Sequence, residues 1–215
     1  MKTALVLEGP GFSEQGEVLR NLGFAGFRQV QRFVWDALDD AVAGDAAAAD
    51  LLLIRGPWSL SPEERLLSKT MAAKLSGLDF SKGPSVLAVG RGALVALELL
   101  VGANLVWESR FEDGARWIRL RSSEAEPSHL VGLRLGRAVP KMPATLLDGR
   151  PISPWLVDDR GETMAWHVER KIWISPLDIL AYAERTQLPD YGYADLTTLL
   201  TQADILDRFA KKGGL

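Results

Sequence analysis

The chain of 215 residues contains no cysteine. That excludes disulfides, thiolate metal sites and thiol nucleophiles together. Histidine is nearly as scarce, with two residues, His129 and His167, and no His-x-x-x-His pair. A zinc site would therefore need carboxylates to complete its ligands, and no metal site is assigned. No apolar run reaches the roughly 20 residues of a membrane span. The net charge of −3 gives no electrostatic reason to expect nucleic acid or an anionic membrane as partner. Met1–Leu7 lacks a small-residue cleavage site and reads as a first strand, so the expected compartment is cytoplasmic.

What the chain does have is punctuation, with 20 glycines and 11 prolines between short apolar runs. Thr3–Leu7 and Asp50–Ile54 are buried-strand patterns stopped by Gly9-Pro10-Gly11 and Gly56-Pro57. Arg28–Trp35 alternates and reads as a strand. Helices are expected over Glu14–Ala25, Asp36–Ala43 and from Pro62 to Leu75, the last opened by Ser61-Pro62-Glu63-Glu64. A strand at Val86–Val89 and a helix at Gly92–Leu100 complete an alternating α/β rhythm, which argues for a parallel sheet.

After residue 104 the rhythm changes. Ala115–Arg121 alternates, Leu130–Val139 holds another strand, and Pro151–Asp159 and Glu162–His167 flank a hairpin turn at Asp159-Arg160-Gly161. These predict antiparallel additions to the sheet. Helices from Ser175-Pro176 to Arg185 and over Ala194–Lys211 are expected at the end.

The junction Val86-Leu87-Ala88-Val89-Gly90-Arg91-Gly92 is the most telling segment. Strand, sharp turn and helix in immediate succession form the layout of a nucleophile elbow, which lifts its central side chain above a sheet. Here the central residue is Gly90, which has no side chain. Two other readings of Gly-Arg-Gly stand beside this one: a tight turn that needs glycine, and a phosphate-binding loop at a helix N-terminus.

Four segments together resemble class I glutamine amidotransferase domains, most of all the glutaminase component of phosphoribosylformylglycinamidine synthase. They are Leu53-Ile54-Arg55-Gly56-Pro57-Trp58-Ser59, the Gly90 junction, the stretch from Val101-Gly102-Ala103 through Glu108–Glu112 to Arg116–Leu120, and Trp166-His167-Val168-Glu169-Arg170. The resemblance covers residues 1–175, with 176–215 as a helical extension packed on the same domain. It implies a flavodoxin-like three-layer α/β sandwich, with a mostly parallel central sheet and antiparallel strands added in the second half.

In that family an elbow cysteine attacks the glutamine amide, a histidine held by a glutamate moves the proton, and backbone N–H groups hold the oxyanion. The resemblance puts Gly90 at the nucleophile position. It puts Gly56, Pro57 and Arg91 at the oxyanion turn, and His167 and Glu169 at the dyad, where they read as a vestigial pair. Gly90 brings no nucleophile, and Pro57 has no N–H to donate. The expectation is a catalytically degenerate, pseudoenzyme form without cysteine-dependent glutaminase activity. It would need no cofactor and would serve as a structural or regulatory subunit beside a synthase or a paralogous subunit of purine biosynthesis. The alternative is an enzyme or ligand-binding protein that uses His167 and Glu169 for a non-thioester reaction.

The tryptophans, seven in all, include Trp58, Trp107, Trp117, Trp155, Trp166 and Trp173. They are expected to pack the core or a groove. Trp58, beside Pro57, is placed to cap the glutamine pocket.

Overall fold

A computed structural model gives the architecture. It describes residues 1–9, 22–23, 26–35, 41–56, 62–80, 82–102, 106–109, 116–122, 130–134, 138–158, 160–169 and 171–176; for 62–65, 106–109, 116–122, 130–134 and 138–141 it describes the backbone alone. Of the expected helix over Glu14–Ala25 only Leu22 and Gly23 are described, both helical; the expected helices beyond Pro176, with Pro57, Trp58 and His129, lie outside the described residues.

The strands are β1 (Lys2–Glu8), β2 (Phe27–Val34), β3 (Leu51–Gly56), β4 (Ser85–Gly90), β5 (Val106–Ser109), β6 (Arg116–Ser122), β7 (Leu130–Arg134), β8 (Ala138–Lys141), β9 (Ile152–Asp158), β10 (Thr163–Val168) and β11 (Ile172–Ser175). The described helices are α1 (Val42–Ala48), α2 (Pro62–Leu75) and α3 (Arg91–Leu100). Nine strands form one sheet in the order β2-β1-β3-β4-β11-β10-β9-β6-β7, and β5 pairs with β8 in a separate ribbon. The first five run parallel and the last four join antiparallel. The parallel part has the flavodoxin-like order 2-1-3-4-5, with β11 as its fifth strand.

Its inner strands β1, β3 and β4, and β11 beside them, are buried on both faces, as a covered parallel sheet requires, while the edge strand β2 is largely exposed. Alternate residues divide between two cores. Leu5, Leu7, Leu52, Ile54, Val86, Ala88, Ile172 and Ile174 meet Met71, Leu75, Leu94 and Leu97 of α2 and α3. Ala4, Val6, Leu51, Leu53, Leu87, Val89 and Trp173 face the other way, toward Leu22, Trp155 and Met164. Register at the amino ends is pinned by Asp50, whose Oδ2 accepts from the Thr3 N–H at 2.8 Å.

Of the helix expected over Asp36–Ala43, residues 36–40 lie outside the described ones, and α1 covers Val42–Ala48, where alanine, the strongest helix former, is concentrated. Two other sequence expectations change. Leu130–Val139 is two strands that enter different sheets. Ile172–Ser175, not expected as a strand, is β11 at the sheet centre. The hairpin turn is as expected: Asp158 Oδ1 accepts from the N–H groups of Arg160 (2.9 Å) and Glu162 (2.8 Å), and Gly161 takes φ +80°.

Candidate functional site

In a sheet of this order, sites form outside the carboxyl ends of the strands, at the switch point between β1 and β3. Those ends share one pattern. Glu8, Arg55 and Val89 are register partners across β1, β3 and β4, and Ser175 of β11 pairs with Val89. Register partners project from the same face. One row of the sheet therefore carries Glu8, Arg55, Val89 and Ser175 side by side, all buried. Arg55, 1 % exposed, places Nη1 3.8 Å from Glu8 Oε1, and Arg32 of β2 donates through Nε to Glu8 Oε2.

The next position on three strands is glycine: Gly9, Gly56 and Gly90. Gly9 donates to the Arg55 carbonyl at 2.8 Å. Gly56 and Gly90 are register partners. A Cβ on Gly56 would lie 3.4 Å from Gly9 Cα, so the strand ends are closely joined.

Gly90 has φ +56° and ψ −127° and passes directly into α3. A side chain would be strained in this conformation, and glycine adopts it readily. The elbow is tight on its other side as well: a Cβ on Gly92 would come within 1.9 Å of the Ile54 carbonyl oxygen. The bend, its glycines and the helix start are thus those of an elbow, with backbone alone at the apex. Arg91 follows as the first residue of α3 and is buried. Its guanidinium carbon stands 5.9 Å from the centre of the Trp35 ring, at the end of β2.

Gly56, Gly90 and Arg91 are thus brought together, but His167 and Glu169 are not brought to them. β10 runs antiparallel to β11, which carries its carboxyl end away from the elbow. His167 pairs with Trp173, which pairs with Leu87, three residues before Gly90. Two strand spacings of about 4.8 Å and three residues of about 3.3 Å put His167 about 14 Å from Gly90. A general base must lie within about 2.6–3.2 Å of its proton, or one water away. His167 is buried against Trp173, with ring centroids 6.5 Å apart.

Glu169 lies past the end of β10, near the amino end of β4, with φ +51°. Its carboxylate accepts from Arg150 Nη1 at 3.2 Å. Residues two apart meet only if the backbone stays extended, and here it does not. The pair is therefore separated from the elbow, and its two members point into different surroundings. Around Arg150 the electrostatics are local. The hydrogen bond from the Arg150 backbone N–H, then that from its guanidinium at 2.8 Å, holds the Asp148 carboxyl below its ordinary value. Burial pulls the Arg150 guanidinium down, but its bonds to Asp148 and Glu169 outweigh this and raise it.

Ser175 is the residue the sequence reading passed over. Its strand stands next to the elbow strand, and Ser175-Pro176 ends it at elbow height. The available signal was the run Ile172-Trp173-Ile174 before a proline, which suits a short buried strand. Among the described residues no three His, Asp or Glu side chains could hold a metal ion, and no helix is long and apolar enough to cross a membrane.

This fold is that of glutamine amidotransferase-like proteins. One solved structure with it is a Thermoplasma acidophilum protein provisionally described as part of a GMP synthase (TM-score 0.61, 8 % identity), matched over 96 % of this chain and 94 % of that one. A glutamine amidotransferase from Methylobacillus flagellatus matches with a TM-score of 0.53 and 13 % identity, over 98 % and 91 % of the two chains. No protein-family model and no curated protein matches the sequence.

Proposed function

We propose that this chain is a pseudo-amidotransferase: it keeps the glutamine amidotransferase fold, lacks cysteine-dependent glutaminase chemistry, and acts as a cytoplasmic structural or regulatory subunit. The observation that carries the reading is Gly90, a bare backbone apex at φ +56° where an elbow would present its nucleophile.

Two further features support it. Pro57, next to Gly56, has no N–H for an oxyanion. Losing one such donor costs about 10²–10³ in rate, and losing the nucleophile removes the covalent route altogether. The position beside the elbow on β11 belongs to Ser175, and a neutral hydroxyl is no substitute for a base that titrates near neutral pH. Nucleophile, donor and base are thus missing at three separate strand ends, while the sheet order that would position them is intact.

The sequence resemblance assigns the partner class: a synthase or paralogous subunit related to phosphoribosylformylglycinamidine synthase. The test is glutamine-dependent ammonia release by the purified chain, alone and with any synthase that co-purifies. The expected result is no release above buffer. Sustained release that scales with the chain's concentration overturns the proposal.

A further inference from the structure

The crevice where a small molecule would sit has an occupant of its own. Arg91 starts at the elbow on β4, and its Cβ lies 3.3 Å from where a Gly56 Cβ would be, on β3. Farther out, Nη1 lies 3.6 Å from where a Gly9 Cβ would be, on β1. The guanidinium ends over Trp35, just past β2. One side chain therefore crosses the carboxyl ends of four adjacent strands, through the β1/β3 switch point. It is buried along this path, at 3 % exposure. The glycines beneath it form a ledge without side chains, and an aromatic face closes the far end, a setting that suits a guanidinium.

We propose that Arg91 is a built-in plug, filling the switch-point crevice of this fold in place of a diffusible ligand. The inference rests on the pseudo-amidotransferase reading and deepens it: the site is occupied as well as stripped of chemistry. Removing the side chain turns the crevice into a binding site for a small planar cation of the guanidinium class.

The experiment uses the full chain with Arg91→Ala and follows thermal unfolding in low-millimolar methylguanidinium chloride. Tetramethylammonium chloride at equal concentration controls for ionic strength. The expected result is a lower Tm for the variant, raised saturably by methylguanidinium and not by the control, with no such rise in the unsubstituted chain. A folded Arg91→Ala protein whose Tm ignores methylguanidinium overturns the proposal, and so does an equal rise in the unsubstituted chain.

If Arg91→Ala does not fold alone, refolding with methylguanidinium, or in the double variant Gly9→Met/Arg91→Ala, replaces the lost volume. Recovery of the native circular dichroism in either supports the plug; failure of both overturns it. The underlying reading fails separately, through ammonia release by the unsubstituted chain.

Discussion

Gly92→Ala tests whether the elbow is seated on β3 as closely as the backbone implies. Alanine in place of glycine inside a helix ordinarily stabilises by about 1 kcal/mol. At position 92 the added Cβ would lie 1.9 Å from the Ile54 oxygen and 2.4 Å from its carbonyl carbon, whereas ordinary contact begins near 3.4 Å. The start of α3 and the end of β3 would have to separate by 3.4 minus 1.9, or 1.5 Å. Both sides are backbone held by hydrogen bonds, so no rotamer change relieves the overlap. Overpacking costs about 1–3 kcal/mol, and more where nothing can yield. Taking the upper end and subtracting the propensity gain leaves a net loss of about 2–3 kcal/mol. For a chain of this length that lowers Tm by about 4–12 °C. Gly44 in α1 is the internal control, since a Cβ there meets nothing within 4 Å; Gly44→Ala should gain about 0.5–1 kcal/mol. Urea and thermal unfolding of both variants measure the difference. A Gly92→Ala protein as stable as its parent, or more stable, would refute the close seating of the elbow.

Three more perturbations follow from the same geometry. Gly90→Cys should not restore glutaminase activity, because Ser175 rather than a base stands beside it and His167 is about 14 Å away. It should also lose about 1–3 kcal/mol from its backbone conformation; ammonia release approaching that of an active amidotransferase would contradict this. Glu8→Ala leaves Arg55 and Arg32 without the carboxylate they share and should cost about 3 kcal/mol by urea unfolding, with a loss below about 1 kcal/mol counting against the buried pair. Asp148 should titrate below 3.8 when its carboxyl is followed by NMR. Because its folded-state value is lowered, its contribution to stability is present above the unfolded value and is lost as pH falls through the folded one. Arg150→Ala should raise Asp148 only part of the way, because the backbone N–H at position 150 still donates to its Oδ1.

Much of the architecture was legible locally. The helix opened by Pro62 ends at Leu75, as capping and periodicity indicate. The strand–helix junction at Gly90 and the turn through Arg160 and Gly161 fall where expected. These features depend on residues within a few positions of one another. β11 was not legible in this way. Four residues ended by a proline give little periodic signal, and the strand's central place comes from pairing with β4, more than 80 positions earlier. Where His167 and Glu169 stand relative to the elbow was not legible either. The His-x-Glu spacing carries no information about strand direction, and β10 runs antiparallel to its neighbour.

By itself the sequence determined what chemistry is excluded. No thiol, a glycine at the apex and a proline in the adjoining turn are matters of composition and order, and no folding can supply the missing groups. It also determined the alternation of strand and helix, because apolar spacing and Gly/Pro punctuation act locally. Only the tertiary structure decided which side chains meet. Sheet order and strand direction put Ser175 rather than His167 beside the elbow. They also align Gly9, Gly56 and Gly90 into a ledge that Arg91 crosses. These are contacts between residues far apart in sequence, fixed by hydrogen-bond register across the sheet and by the close packing of α3 against β3.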